Sequence, residues 1–203
     1  MFFEIEPNMI THFISICSIG VDWHAVEVEW LNSIYLNRPV QLDWFFQLIS
    51  QSVSYIAWGF PLVLLTIGLL QRNVVLKRKA IVVWASVILA SLISLILKYV
   101  IDRQRPFDSY PFIEKLSSGG SPSFPSGHTT DAFAIAIALI LAYPRWYFTL
   151  PALLWASAVG YSRMSLGVHY PSDVFFGIIL GAVSAYICFK GKDYILWKKS
   201  NML

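Results

Sequence analysis

The stretch FPSGHTTDAFAIAIALILAY, residues 124–143, sets a helix-breaking Pro-Ser-Gly-His directly before an apolar run. From Ala132 to Tyr143 no residue carries a charge, and the run is long enough to enter a membrane. Proline suits the first turn of a helix and serine caps free N–H groups, so Pro125 and Ser126 are accounted for by a helix start. His128 is not. A titratable side chain at the mouth of a hydrophobic helix has to be explained by what gathers around it.

The rest of the chain matches that apolar run. Of its 203 residues 57% are hydrophobic and 13% charged, against roughly 25% charged in a soluble domain. Lipid is therefore the expected solvent. Five segments, 49–70, 80–101, 127–143, 147–162 and 171–189, have the length and apolarity to cross a hydrocarbon core of about 30 Å. The fourth contains Pro151, but TLPALLWASAVGY carries no charge and neighbouring helices can satisfy a carbonyl freed by proline. The expected fold class is all-α: an integral membrane helical bundle of five transmembrane helices.

Ahead of these spans the sequence changes character. ITHFISICSIGV is too short to cross, and VEVEWLNSIYLNRPVQLDWFFQLI mixes charges with Trp30, Tyr35, Trp44 and Phe45. That mixture suits helices lying in the membrane interface. The expected organisation is an interfacial segment over 1–48, a transmembrane core over 49–190 and a basic tail over 191–203. With Glu4 and Glu6 and no basic n-region, no cleavable signal peptide is expected. Cys17 and Cys188 lie at opposite ends of the spans, so no disulfide is expected, and neither has a metal-ligand spacing.

Five spans alternate the loops between two sides. Arg72, Lys77, Arg78, Lys79, Arg145, Lys190, Lys192, Lys198 and Lys199, nine of the fifteen basic residues, fall on one side. The positive-inside rule makes that side cytoplasmic, together with the C-terminus. Loops 102–126 and 163–170 then face the extracytoplasmic space. The net charge of +3 arises from this asymmetry and gives no reason to expect a nucleic-acid partner.

Ionisable groups cluster on the outward side, where their cost near lipid marks them as functional candidates. In KYVIDRQRP, Lys98 ends the second span and Arg105-Pro106 follows after six residues. Alone, Lys98 reads as a snorkelling side chain paired with Asp102, and Arg105 as a residue before a helix-ending proline. In PSGH, a helix starting at Ser126 turns its free N–H groups and its dipole toward an anion, and Gly127 allows close approach to the backbone. Asp131 in the same first turn is a candidate support for His128, although an acid at that position needs no such role. In SRMSLGVHYPSD, Pro171 opens the last span, Tyr170 caps it and Asp173 reaches back as the acid of a capping box. Asp173 would meet His169, fixing its tautomer so that the other ring nitrogen can act as base or nucleophile. Arg163 stands in the same loop.

Lys98, Arg105 and Arg163 with a glycine-bearing helix start make an anion site, and guanidinium forks match phosphate oxygens. Two histidines divide the breaking of a phosphoester, one attacking phosphorus and one protonating the leaving oxygen. No carboxylate cluster remains to hold magnesium. Metal-independent phosphate-ester hydrolysis, without a cofactor, is the expected chemistry.

Together, Lys98-(six residues)-Arg105-Pro106, Pro125-Ser126-Gly127-His128 and Ser162-Arg163-(five residues)-His169-(three residues)-Asp173 resemble the three-part signature of the type 2 phosphatidic acid phosphatase superfamily. All three parts occur in order across residues 98–173. The resemblance implies His169 as a nucleophile forming a phosphohistidine, oriented by Asp173. It implies His128 as the acid for the leaving group, and Lys98, Arg105, Ser126, Gly127 and Arg163 as phosphate-binding residues. Family members often have six spans, and the N-terminal region holds the candidate for a sixth. The superfamily also includes soluble vanadate-dependent haloperoxidases, against which the five spans argue.

Among membrane relatives, the outward-facing site and the RPF…SFPSGHTT stretch look most like bacterial undecaprenyl pyrophosphate phosphatases. Phosphatidylglycerophosphate, phosphatidic acid and lipid A phosphatases are the alternatives. A reading of another class is a transporter or lipid-phosphate-binding membrane protein that holds an anion without chemistry, which would leave His128, His169 and Asp173 idle. The expected partners are a lipid phosphate and the bilayer of the inner membrane. Oligomeric state is not written in the sequence. Phe107, Asp108, Tyr110, Phe112, Glu114 and Lys115 of the outer loop, and the aromatic N-terminal region, are candidates for selectivity, and their spacing does not say how.

Overall fold

The computed structural model describes residues 22–200, with side chains described to residue 191. Glu4, Glu6, Cys17 and the ITHFISICSIGV segment lie outside the described residues, as do the side chains of Lys192, Lys198 and Lys199. The described elements are all helical: α1 (Trp23–Leu36), a short 3-10 turn (Val40–Leu42), α2 (Asp43–Leu70), α3 (Val74–Ile101), α4 (Pro106–Ser109), α5 (Gly127–Ala142), α6 (Trp146–Ser165) and α7 (Pro171–Ser200).

Local chemistry sets the helix limits. Asp22 starts α1 by accepting from the N–H groups of His24 at 3.0 Å and Ala25 at 3.3 Å. Asn73 does the same for α3, accepting from Leu76 at 3.0 Å. Asp102 ends α3 in the left-handed conformation, φ 47°, with its N–H on the Lys98 carbonyl at 2.9 Å. Arg105, ahead of Pro106, is extended at φ −83°, ψ 157°, as a residue before proline prefers. That break sends the chain back across the helix ends.

Three stretches, Val40–Leu70, Val74–Ser109 and Pro171–Gly191, are long and apolar enough to cross a membrane, and Gly127–Ala142 is a shorter apolar helix. Leu62, Leu70, Leu92, Val100, Leu154, Phe175 and Ile187 point outward and are exposed. Such a coat is costly in water and free in lipid. Over its described residues the protein is an all-helical membrane bundle.

At its centre is α5. Ala132, Ala134, Ala136 and Ala138 are fully buried against Val83, Val87 and Ala90 of α3, Ala156 and Val159 of α6 and Ala185 of α7. Small residues let helices approach closely where lipid removes the hydrophobic drive to associate. The closest approach is to α7: a Cβ added at Gly177 would lie 3.0 Å from the Ser126 carbonyl oxygen, and one at Gly181 only 2.4 Å from that of Thr130. Gly177 and Gly181 stand one turn apart and lock α7 onto the start of α5.

The end of α3, the start of α5, the end of α6 and the start of α7 thereby meet at one end of the bundle. Loop 102–126 and α1 cover this end. Leu31 and Tyr35 of α1 pack with Ile113 and Tyr170, and the Tyr35 hydroxyl accepts from the Glu114 N–H at 3.0 Å. Gly167, at φ +71°, sits where a Cβ would be 2.5 Å from Ile113, so the loop leading to His169 passes tightly beneath this cover. At the opposite end Lys79 donates to the Ala142 carbonyl at 2.8 Å and lies over the Tyr143 ring.

Candidate active site

The four helix ends enclose a cavity of about 250 Å³ lined by Lys98, Arg105, Ser118, Gly119, Ser121, Gly127, His128, Arg163 and His169. Residues from three separate sequence motifs, up to 71 positions apart between Lys98 and His169, thus face one space. Asp173 is fully buried behind His169, and Ser126 is buried beside the cavity.

The cations reach this space from different elements. Lys98 projects from the last turn of α3, and its Nζ donates to the carbonyls of Pro122 at 2.7 Å and Ser123 at 3.4 Å. It makes no ion pair with Asp102. Arg105 leaves the extended segment after α3 and donates from Nε to the Ser121 carbonyl at 2.7 Å and from Nη1 to the Val168 carbonyl at 3.0 Å. Arg163 belongs to the last turn of α6 and not to the loop that follows. Its Nη2 donates to the Ser118 carbonyl at 3.0 Å, and its Nη1 to the hydroxyls of Ser117, at 3.1 Å, and Ser50. Arg163 Nε is buried and has no partner among the described residues, a donor left over beside the cavity.

One segment, Ser117–Ser123, therefore supplies carbonyl oxygens to all three cations. The sequence SSGGSPS permits this: Gly119 lies against Arg105, where a Cβ would be 2.5 Å from Nη1. Carbonyl dipoles offset the mutual repulsion of three positive charges that no protein carboxylate neutralises from inside the cavity. The same contacts hold each side chain in place before any anion arrives.

At the start of α5, Ser126 occupies the N-cap position, yet its side chain makes no capping bond. Its hydroxyl lies 2.8 Å from Thr129 Oγ1, and its backbone N–H donates to the Asp173 carbonyl at 3.0 Å. The α5 start thus meets the cavity without a side-chain cap, with Gly127 and His128 as its lining. A Cβ at Gly127 would stand 3.8 Å from Lys98 Cε, so a side chain fits the protein there but takes volume from the cavity. Asp131 is directed elsewhere: Ser91 of α3 donates to its Oδ1 at 2.5 Å, which makes it an α3–α5 tie and not a support for His128.

The loop 166–170 presents His169 edge-on between two environments. Nδ1 faces Asp173 Oδ2 and Ser123 Oγ, each at 3.4 Å, and Nε2 lies 3.5 Å from Arg105 Nη1 on the cavity side. Burial pushes the His169 pKa down to about 3, reinforced by the Arg163 and Arg105 charges and opposed by Asp173. The ring is neutral at neutral pH. A proton on Nδ1 shared with Asp173 leaves the Nε2 lone pair to the cavity.

Asp173 is held by more than His169. Its Oδ2 also accepts from the Tyr170 N–H at 2.9 Å, the expected capping box, and from Ser123 Oγ at 2.5 Å. Its Oδ1 accepts from Arg103 Nη1 at 2.8 Å. Ser123, Arg103 and the carbonyls of Ser118, Ser121 and Pro122 are participants that sequence reasoning missed. Arg103 carried a signal, as a second arginine two residues before Arg105. Among the described residues no group of three or more His, Cys, Asp or Glu comes together.

Known proteins resemble this chain in sequence and in fold. The pattern of the PAP2 superfamily matches residues 79–197, more than half of the chain. The decaprenylphosphoryl-5-phosphoribose phosphatase of Mycobacterium tuberculosis is 35% identical over 152 residues, 75% of this chain and 81% of that protein. The undecaprenyl-diphosphatase BcrC of Bacillus subtilis is 27% identical over 144 residues, 70% of this chain and 72% of that protein. The chain spans about half or less of the length of other curated relatives, among them lipid A phosphatases of Bacteroides thetaiotaomicron and Rhizobium johnstonii and an undecaprenyl-diphosphatase of Sulfolobus acidocaldarius. In fold, the crystal structure of a transmembrane PAP2-type phosphatidylglycerolphosphate phosphatase from Bacillus subtilis covers 93% of this chain and 96% of its own, with a TM-score of 0.73 at 23% identity. With its three motifs converging on one cation-lined cavity and the family pattern running through all of them, the chain belongs to the PAP2 superfamily.

Proposed function

We propose that the protein is a metal-independent lipid phosphatase that works through a phosphohistidine, with a polyprenyl diphosphate as the substrate class and undecaprenyl pyrophosphate as the first choice within it. The observation that carries this reading is the cavity itself: three cations and a helix start face one space, with the free nitrogen of a neutral, buried His169 among them. The two relatives described over most of their length both act, by name, on polyprenyl-linked phosphates.

The reaction follows from the placement of groups. Lys98, Arg105, Arg163 and the α5 start at Gly127 hold the phosphate oxygens, where charge accumulates in the transition state, and Ser126, its N–H on the Asp173 carbonyl and its hydroxyl on Thr129, fixes that helix start from beside the cavity. His169 Nε2 attacks phosphorus and forms a P–N bond as the bond to the leaving oxygen breaks. With the anionic phosphate bound among the cations, His128 takes up a proton from solvent and gives it to that oxygen. Asp173 stabilises the imidazole as it gains positive character. Water then attacks the phosphohistidine, passes a proton to His128, and releases phosphate and the original His169.

The bundle supports an outward-facing site. Arg72, Lys77, Arg78, Lys79, Arg145 and Lys190 occupy the end opposite the cavity, which the positive-inside rule assigns to the cytoplasm of an inner-membrane protein. In this reading α2, α3, α5, α6 and α7 are the five crossings, α1 is interfacial and the C-terminus is cytoplasmic.

The test is phosphate release by the detergent-solubilised protein from undecaprenyl pyrophosphate, phosphatidylglycerophosphate, phosphatidic acid and lipid A, with EDTA present. Release is expected to be fastest from the polyprenyl substrate and absent in His169→Ala. Activity that disappears on chelation overturns the mechanism. Phosphate binding without turnover on any substrate assigns the protein to the non-enzymatic, anion-binding class.

A further inference from the structure

The described contacts run on past Asp173 to a helix that the catalytic motifs do not include. Arg103 donates from Nη1 to Asp173 Oδ1 and to Ser172 Oγ, both at 2.8 Å, and from Nη2 to Glu27 of α1. The second carboxylate oxygen of Glu27 accepts from Ser172 Oγ, closing a ring of Arg103, Ser172 and Glu27. The guanidinium lies over the Tyr170 ring, 3.9 Å from its centre, and the Arg103 carbonyl accepts from the Ser123 N–H at 2.7 Å. Each residue that meets the Asp173 carboxylate is thus touched in turn by Arg103 or lies next to one that is.

We propose that Arg103, clamped by Glu27 of α1, is a positioning residue for the Asp173–His169 pair. The proposal rests on the phosphatase reading above and deepens it by adding α1 to the machinery. Asp173 Oδ2 already meets the Tyr170 N–H, Ser123 Oγ and His169 Nδ1, and Arg103 is the donor on Oδ1. Oδ2 is shared among three partners and Arg103 holds Oδ1, so losing that donor frees the carboxylate to rotate about Oδ2 and loosens its aim at His169 Nδ1. The Arg103 side chain is 21% exposed, and besides Asp173, Ser172 Oγ and the Tyr170 ring it has a charged anchor on Nη2. Glu27, 15% exposed and also 3.2 Å from His24 Nδ1, is that anchor.

Arg103 and Glu27 lie outside the cavity lining, on the side of Asp173 away from His169 and the cavity. Their loss should therefore alter turnover and spare substrate binding. The experiment compares wild type, Arg103→Gln, Arg103→Lys, Glu27→Gln and the Arg103→Gln/Glu27→Gln pair as full-length protein in detergent, with inorganic phosphate as competitive inhibitor. Arg103→Gln should lower kcat about tenfold or more by letting the carboxylate and imidazole drift. KM and the phosphate inhibition constant should stay within about twofold of wild type, since neither residue reaches the anion. Lysine at 103 should restore part of kcat by keeping the charge. Glu27→Gln should cost about threefold, and the pair should be no worse than Arg103→Gln alone, as for two residues acting through one contact. Glu29→Gln on the exposed face of α1 should match wild type.

Wild-type kcat in Arg103→Gln overturns the proposal. So does a loss confined to KM and phosphate inhibition, which would put Arg103 in the anion site, and so do additive losses in the pair. If Arg103→Gln does not fold, wild-type kcat in both Arg103→Lys and Glu27→Gln overturns it equally. Absence of hydrolysis by wild type, in contrast, removes the phosphatase reading and this proposal with it, before any variant is compared.

Discussion

His169 presents its two nitrogens to opposite chemistry, a buried carboxylate on one side and a cation-lined cavity on the other. Burial makes this histidine a liability in acid. Its pKa in the folded protein is about 3 against 6.5 for an ordinary histidine, so as pH falls below 6.5 the unfolded chain takes up a proton that the folded one does not. Stability present above that point is lost as pH decreases, by at most about 1.4 kcal/mol per pH unit for a single group. Thermal unfolding in detergent should show wild type weakening between neutral and mildly acidic pH, and His169→Gln should flatten that slope. A slope unchanged by the substitution would assign the acid sensitivity to other groups.

At this scale the sequence made legible which of its marked residues gather in one place. Lys98, Arg105, Gly127, His128, Arg163 and His169 all line the cavity. What could not be read were the backbone oxygens of Ser118, Ser121 and Pro122, because a carbonyl is present at every residue and its direction is set by tertiary structure alone. Ser123 and Glu27 were hidden for a related reason. A serine in a loop and a glutamate in an amphipathic helix are common, and only the contacts with Asp173 and Arg103 distinguish these two.

Among the elements, the α5–α7 contact matters most to the site, because it joins the helix carrying His128 to the one carrying Asp173. A methyl group at Gly181 would meet the Thr130 carbonyl at 2.4 Å and the Ala134 nitrogen at 2.8 Å, both backbone atoms that cannot rotate away. Gly181→Ala should therefore destabilise the bundle by about 1–3 kcal/mol, the usual cost of overpacking. Equilibrium unfolding in mixed micelles measures it, and an unchanged midpoint would mean that the helices separate without penalty. The helices themselves were largely evident from apolar length, and their ends from proline and glycine. Differences fall where polar residues continue a helix: α2 begins at Asp43, ahead of the apolar run at 49, and α6 continues through Arg163 to Ser165. Composition marks where lipid begins, whereas hydrogen bonding decides where a helix stops.

For the whole molecule, the lengths of the packed helices are unequal in a way that bears on how a lipid reaches the site. α5 has 16 residues, roughly 24 Å at the usual rise per residue. α3 has 28 residues and meets the two ends of α5 at Lys79 and near Lys98, overhanging it at both ends. At the cavity end α3 passes the start of α5 by about one turn, Lys98 to Ile101, and loop 102–126 and α1 close over it, so the cavity lies below a rim made by these segments. Hydrophobic mismatch follows. In a thin bilayer the headgroup plane can settle to the level of the cavity, whereas a thick bilayer lifts it toward the rim, and a bound phosphate must then sink into hydrocarbon at a cost that grows with each ångström. Reconstituted into phosphatidylcholines of increasing acyl length, the protein should turn over its lipid substrate more slowly as the membrane thickens, while a short-chain soluble phosphate ester shows no such trend. Equal dependence for both substrates would place the effect in the helices and not in the descent of the headgroup. The sixteen residues of α5 then set the depth at which this protein meets its membrane, and with it the thickness of bilayer in which it works best.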